Sequence, residues 1–186
     1  GANKTMDTVT ALLADLAAAK GGHTAIIYHD DPITFAQLDD MGRRAATLLS
    51  GLGIGEGDRV ALWLPNCPAY MALCLGCCRL GAIAVAVNTR FRSVEVSDII
   101  RRSGAETLVM WPGFREIDFL GLLADADRDA LAGLKTIILY DEGTRVDHIP
   151  GPISHCDRLD YNDLIQCAPY GDDHATPELG CNIFTT

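Results

Sequence analysis

A chain of 186 residues, 48% hydrophobic and 22% charged, has room for one packed domain and the balance of a soluble globular protein, not a disordered one. Its formal charge of −10 argues against nucleic acid as a partner, because a phosphate backbone needs clustered lysine and arginine. The longest apolar run, residues 69–78, falls well short of the ~20 residues that a membrane span requires. Seven cysteines at irregular spacing, with no export signal, predict thiols in a reducing compartment, hence a cytoplasmic protein.

Residues 11–19 read as a short amphipathic helix with Leu12, Leu13 and Leu16 on one side, interrupted by Asp15 and so unlike a signal peptide. Residues 1–23 are taken as an N-terminal extension carrying that helix. An apolar strand follows over residues 25–28, then turn chemistry at Asp30-Asp31-Pro32, then a second short run, 33–35, that folds back as a hairpin. His29 ends the first strand and has no second ligand at metal spacing.

Thr34 stands three residues before Gln37, a capping-box spacing, and Ile33 and Leu38 occupy the hydrophobic-staple positions around it. Leu38, Met41, Ala45, Leu48, Leu49 and Leu52 then mark one helical face, with Arg43 and Arg44 off it. Gly51 and Gly53 stop this helix. The run GLGIGEG suggests a nucleotide loop, but such a loop follows a strand and opens a helix. Here a helix precedes the glycines and a strand follows them, so they read as a helix C-terminus.

Residues 60–64 form an unbroken apolar strand, as in a sheet covered on both faces. Pro65-Asn66-Cys67-Pro68 turns the chain into a helix, 69–80, that is apolar nearly all round and ends at Gly81. A strand over 82–87 leads to the loop Asn88-Thr89-Arg90-Phe91-Arg92 and a helix capped by Ser93, with Val96, Ile99 and Ile100 facing inward and Gly104 at its end. Residues 107–111 read as a strand and 114–134 as a helical stretch carrying Ile117, Leu120, Leu123 and Leu131, with Asp125, Asp127 and Asp129 outside. A strand at 136–140, a surface excursion over 141–157, a short helix at 161–167 and a strand from residue 181 complete the pass. Strands that alternate with helices, and are apolar throughout, predict an α/β fold: a mainly parallel sheet with helices on both faces, over residues 24–186.

Few residues suggest chemistry. Cys74, Cys77 and Cys78 lie late in an apolar helix, where buried structural thiols are expected in preference to a metal or redox centre. His148, His155 and Cys156 flank a Pro-Gly-Pro loop and read as exposed loop residues, with a metal site as the less favoured alternative. The aspartate pairs 30–31, 39–40 and 172–173 are assigned to turns, caps and solvated surface. Arg79, Arg90, Arg92, Arg101 and Arg102 are read as solvated helix-end and loop residues, with contact to an anionic ligand left open. No complete active site emerges from the residues alone.

Taken in order, Thr34–Leu38, Gly53–Val60, Leu64-Pro65-Asn66, Gly81-Ala82 and Asn88-Thr89-Arg90 resemble the adenylate-forming (AMP-binding) acyl-CoA synthetase superfamily. The resemblance covers residues 24–140 closely. It departs where the family carries an acidic residue after the Leu-Pro-Asn segment, since this chain has Ala69-Tyr70. The resemblance implies part of the large N-terminal domain of an acid–thiol ligase of the kind serving fatty acid metabolism. In the whole enzyme a carboxylic acid would react with ATP and Mg²⁺, and the acyl group would then pass to CoA. It further implies that Asn182-Ile183-Phe184-Thr185-Thr186 runs into the ATP phosphate loop, with Thr186 as that loop's first residue. The chain is then an incomplete domain. It is expected to have no catalytic residue, bound cofactor or metal of its own, to be inactive alone, and to expose apolar edges that favour a homo-oligomer. The alternative is a free-standing, non-catalytic α/β binding or interaction module; a doubly wound nucleotide or flavin binder ranks last, because HDDPIT offers no glycine loop.

Overall fold

A computed structural model describes residues 2–143, 146, 148–169 and 182–184. The contacts divide the chain into two units: Gly1–Asp58 with Asn66–Ala84 and Cys167–Ile183, and Arg59–Pro65 with Val85–Gln166 and Phe184–Thr186.

The first unit holds helices α1 (Ala2–Lys20), α2 (Phe35–Gly51) and α3 (Pro68–Leu80) and the hairpin β1 (Thr24–Tyr28) with β2 (Asp31–Thr34). Helix α1 is longer than the 11–19 expected, and Leu13 packs in a core cluster with Leu38 and Leu75. The hairpin forms as anticipated, but with a tighter turn. Tyr28 pairs with Asp31, so His29 and Asp30 make the whole turn, with φ of 49° and 66°. Two successive left-handed residues suit the right-handed twist of a two-residue hairpin.

Helix α2 opens with the predicted capping box: Gln37 N–H donates to Thr34 Oγ1 at 3.1 Å, and Thr34 N–H to Gln37 Oε1 at 2.9 Å. Gly53, at φ 84°, follows its end, which confirms the glycines as a helix terminus. Helix α3 starts on Pro68 and closes on Gly81 at φ 68°.

Helices α2 and α3 approach so closely that a Cβ on Gly76 would stand 2.9 Å from the Ala46 amide nitrogen and 3.0 Å from the Ala45 carbonyl carbon. The buried face of α2 accordingly includes Gly42 and Ala46, whereas Met41 is half-buried and Leu52 is exposed. At this interface the expectation of solvated charge fails for Asp39 and Arg79, which are only 8% and 4% exposed. Arg79 Nη2 donates to Asp39 Oδ1 at 3.1 Å, and Arg43 Nε to Asp39 Oδ2 at 2.9 Å. Asp40, its neighbour, pairs with Arg44 on the solvent side. The two aspartates do point to different faces, but one of those faces is interior.

A six-stranded sheet has the order β7-β6-β5-β3-β4-β8, with β3 (Arg59–Trp63), β4 (Ile83–Ala86), β5 (Thr107–Met110), β6 (Thr136–Leu139), β7 (Asp157–Asp160) and β8 (Asn182–Phe184). The second unit contains β3, β5, β6 and β7, which run parallel and in step, Trp63 opposite Met110, Met110 opposite Leu139, Leu139 opposite Asp160. The predicted α/β class is the one observed.

Three local expectations fail in this unit. The surface excursion expected over 141–157 ends in a strand, β7, whose remaining residues 158–160 had no assignment; of sequence DRLD, it is an edge strand in the described order, where the usual run of apolar residues is not required. The helical stretch expected over 114–134 is a 3₁₀ turn at Phe114–Glu116, then α5 (Phe119–Ala124) and α6 (Arg128–Leu131). Its aspartates break it: Asp118 Oδ1 accepts the Gly121 N–H at 2.9 Å, and Asp127 Oδ1 accepts the Asp129 N–H at 3.0 Å, each starting a new helix. Ser93 is not the cap of α4 (Ser93–Ser103); Arg92 is, with its N–H bonded to Glu95 Oε2 at 3.1 Å. The Ser93 hydroxyl instead donates to the Leu122 carbonyl at 2.7 Å. The short helix at 161–167 is present as α7 (Tyr161–Cys167). Among the described residues no helix is long and apolar enough to cross a membrane.

Candidate functional site

In open α/β sheets, ligands lodge outside the carboxyl ends of parallel strands, at the point where the strand order reverses. Here the chain passes from β3 to β4 on one side and then to β5 on the other, so β3 and β5 flank that point. Trp63, the last residue of β3, occupies it. The indole is almost fully buried, donates through Nε1 to the Asn88 carbonyl at 3.1 Å, and stands edge-on to Phe119 with ring centroids 5.0 Å apart. The Trp111 N–H continues the ladder past the strand ends to the Trp63 carbonyl at 3.4 Å.

Beyond it lies an aromatic row. Because β5, β6 and β7 end in register, the residues that follow them, Trp111, Tyr140 and Tyr161, fall side by side. Trp111 meets Tyr140 at 5.2 Å and 86°, Tyr140 meets Tyr161 at 5.7 Å and 71°, and Phe114 adds to Trp111 at 4.9 Å. The Tyr140 hydroxyl donates to Glu142 Oε2 at 2.6 Å. Such a row supplies a rigid apolar floor and no acid, base or nucleophile. Sequence reasoning passed over it, although an aromatic directly after each of two apolar strands was a readable signal.

The loop after β4 is fixed by its own polar groups. Asn88 Oδ1 accepts the Arg90 N–H at 2.8 Å, and Arg92 Nη1 donates to the carbonyls of Thr89 and Phe91, each at 3.0 Å. Arg101 pairs with Asp127, and Arg102 with Asp98 at 2.9 Å. Of the five arginines singled out in the sequence, Arg79, Arg92, Arg101 and Arg102 are therefore dispersed among separate side-chain contacts, and Arg79 is interior.

Cys74 and Cys77 lie within α3 as expected and are not activated. Burial pushes the Cys74 thiol up to about 11 and the Cys77 thiol higher still. Tyr70, one turn before Cys74, is raised to about 12 by burial first and by Cys74 second. These groups are inert near neutral pH. Cys78 departs from the expected set of thiols, because it is disulfide-bonded, a pairing that depends on spatial proximity and not on spacing.

His148 is exposed, whereas His155, expected to be loose in a loop, is tied down: Nε2 lies 3.0 Å from the Leu134 carbonyl, and the Cys156 thiol donates to the same oxygen at 3.4 Å. Cys156 is raised to about 11 by burial and then by Asp157, so the pair is not an activated thiol. No group of three His, Cys, Asp or Glu able to hold a metal ion occurs among the described residues. Thr186, the residue assigned to the start of the phosphate loop, lies outside the described residues, as does the aspartate pair 172–173.

Tyr70 and Cys74 also line an apolar cavity of about 600 Å³ in the first unit, between α1, α2 and α3, with Leu12, Leu16, Phe35 and Met71 among its walls. It has the size of a ligand pocket but no charged side chain to orient a ligand.

Comparison with known proteins identifies the scaffold that carries these residues. The family model described as AMP-binding enzyme matches residues 13–162. The 3-[(3aS,4S,7aS)-7a-methyl-1,5-dioxo-octahydro-1H-inden-4-yl]propanoyl:CoA ligase of Mycobacterium tuberculosis is 37% identical over 143 residues, which are 74% of this chain and 27% of that protein. The long-chain-fatty-acid–CoA ligase FadD13 of the same species is 40% identical over 97 residues, 52% of this chain and 19% of that protein. Among solved structures, the anthranilate CoA ligase AuaEII, in complex with anthranoyl-AMP, superposes with a TM-score of 0.72 at 25% identity, over 90% of this chain and 29% of its own. The chain therefore spans about a quarter of the length of these relatives. With the family model covering most of its length and the same α/β scaffold in its solved relatives, the chain belongs to the AMP-binding enzyme family.

Proposed function

We propose that this chain is the N-terminal part of an ATP-dependent acyl-CoA synthetase. Residues 24–186 would form the first portion of its large α/β domain, and residues 1–23 an extension docked through Leu13. The observation that carries the reading is the family match over residues 13–162, together with relatives that are themselves CoA ligases.

In the whole protein, a carboxylate oxygen of the acid would attack the α-phosphorus of ATP. The bond to pyrophosphate breaks and an acyl-adenylate forms. The sulfur of CoA would then attack the acyl carbon, expelling AMP and losing the thiol proton. Both steps depend on donors and cations placed around developing negative charge. Among the described residues no group of three His, Cys, Asp or Glu is suited to hold Mg²⁺. Thr186 would begin the loop that wraps the phosphates. The role of the described stretch is to brace it: β8 lies beside β4 in the sheet, and the loop following β4 is held rigid by Trp63, Asn88 and Arg92. The reading includes cytoplasmic placement, which five free thiols among the described residues support and the disulfide at Cys78 opposes.

The test is AMP release by the full-length gene product, given ATP, Mg²⁺, CoA and a panel of aliphatic and aromatic acids. Acid-dependent and CoA-dependent AMP is expected. ATP turnover indifferent to every acid would overturn the assignment. The chain of residues 1–186, assayed alone, should not exchange pyrophosphate into ATP; measurable exchange would move the phosphate site into these residues.

A further inference from the structure

We draw no further inference here: the strongest candidate, the open apolar cavity between α1, α2 and α3 lined by Leu12, Leu16, Met71 and Cys74, carries nothing because no feature of the structure shows what covers it.

Discussion

The α2–α3 interface of the first unit and the carboxyl edge of the sheet in the second are both well packed, but by opposite means. The helix pair relies on closeness: glycine and alanine let two backbones nearly touch, and one carboxylate, Asp39, serves two guanidinium groups beside that contact. The sheet edge relies on alignment: three strands ending in step deliver three aromatic rings to one line, each ring meeting the next edge-on. Closeness tolerates no added atom and no missing charge. Alignment spreads the load, so loss of one contact leaves the others standing.

The contrast can be broken most forcefully at Asp39. Asp39→Ala withdraws the carboxylate from a nearly buried Arg79 and should cost about 3–5 kcal/mol. Urea denaturation would show it, and a loss under 1 kcal/mol would mean that the pair is dispensable. Next comes Gly76→Ala, where the new methyl meets backbone atoms that cannot rotate away; about 1–3 kcal/mol is expected by the same measurement. Trp63→Phe keeps a ring against Phe119 but removes the donor to Asn88, for about 1–2 kcal/mol, well below the Asp39 loss.

The smallest effect is one of pH. The Cys74 and Cys77 thiols are raised in the folded chain, so the unfolded chain loses its thiol protons first as pH climbs. Their contribution is whole below the ordinary thiol value of about 8.5 and drains away as pH rises toward 11 for Cys74. The urea midpoint should hold steady to about pH 8 and then decline, and Cys77→Ala should flatten that decline. Alkylation at pH 8, followed by mass spectrometry, should mark exposed Cys167 well before Cys77.

Much of this was legible beforehand where backbone and side-chain chemistry agreed. Thr34 with Gln37, Pro68 with Gly81, and the apolar strand before Leu64 each carry their own start or stop, and each lies within a residue or so of where the pattern put it. The order of short segments shared with the AMP-binding family was likewise readable without coordinates. What escaped depends on partners far away in the chain. Asp39 is polar by any local measure and becomes interior only because Arg79, forty positions on, folds against it. Strand β7 is charged at three of its four positions and is a strand because β6 pairs with it. The break at Asp118 turned on whether that side chain would cap or face water, which apolar spacing leaves open. The candidate site was the least legible part, for the residue assigned to it, Thr186, lies outside the described stretch.

The placement of the indoles sets what light can report about this molecule. Both tryptophans of the chain, Trp63 and Trp111, belong to the second unit, one sealed from water and the other half-exposed. Emission will therefore follow the sheet and stay blind to the α1–α3 half, whose melting has to be watched through its helical circular dichroism or a dye placed there. Should the halves come apart at different temperatures, an optical trace from tryptophan alone would record a single clean transition and conceal the other.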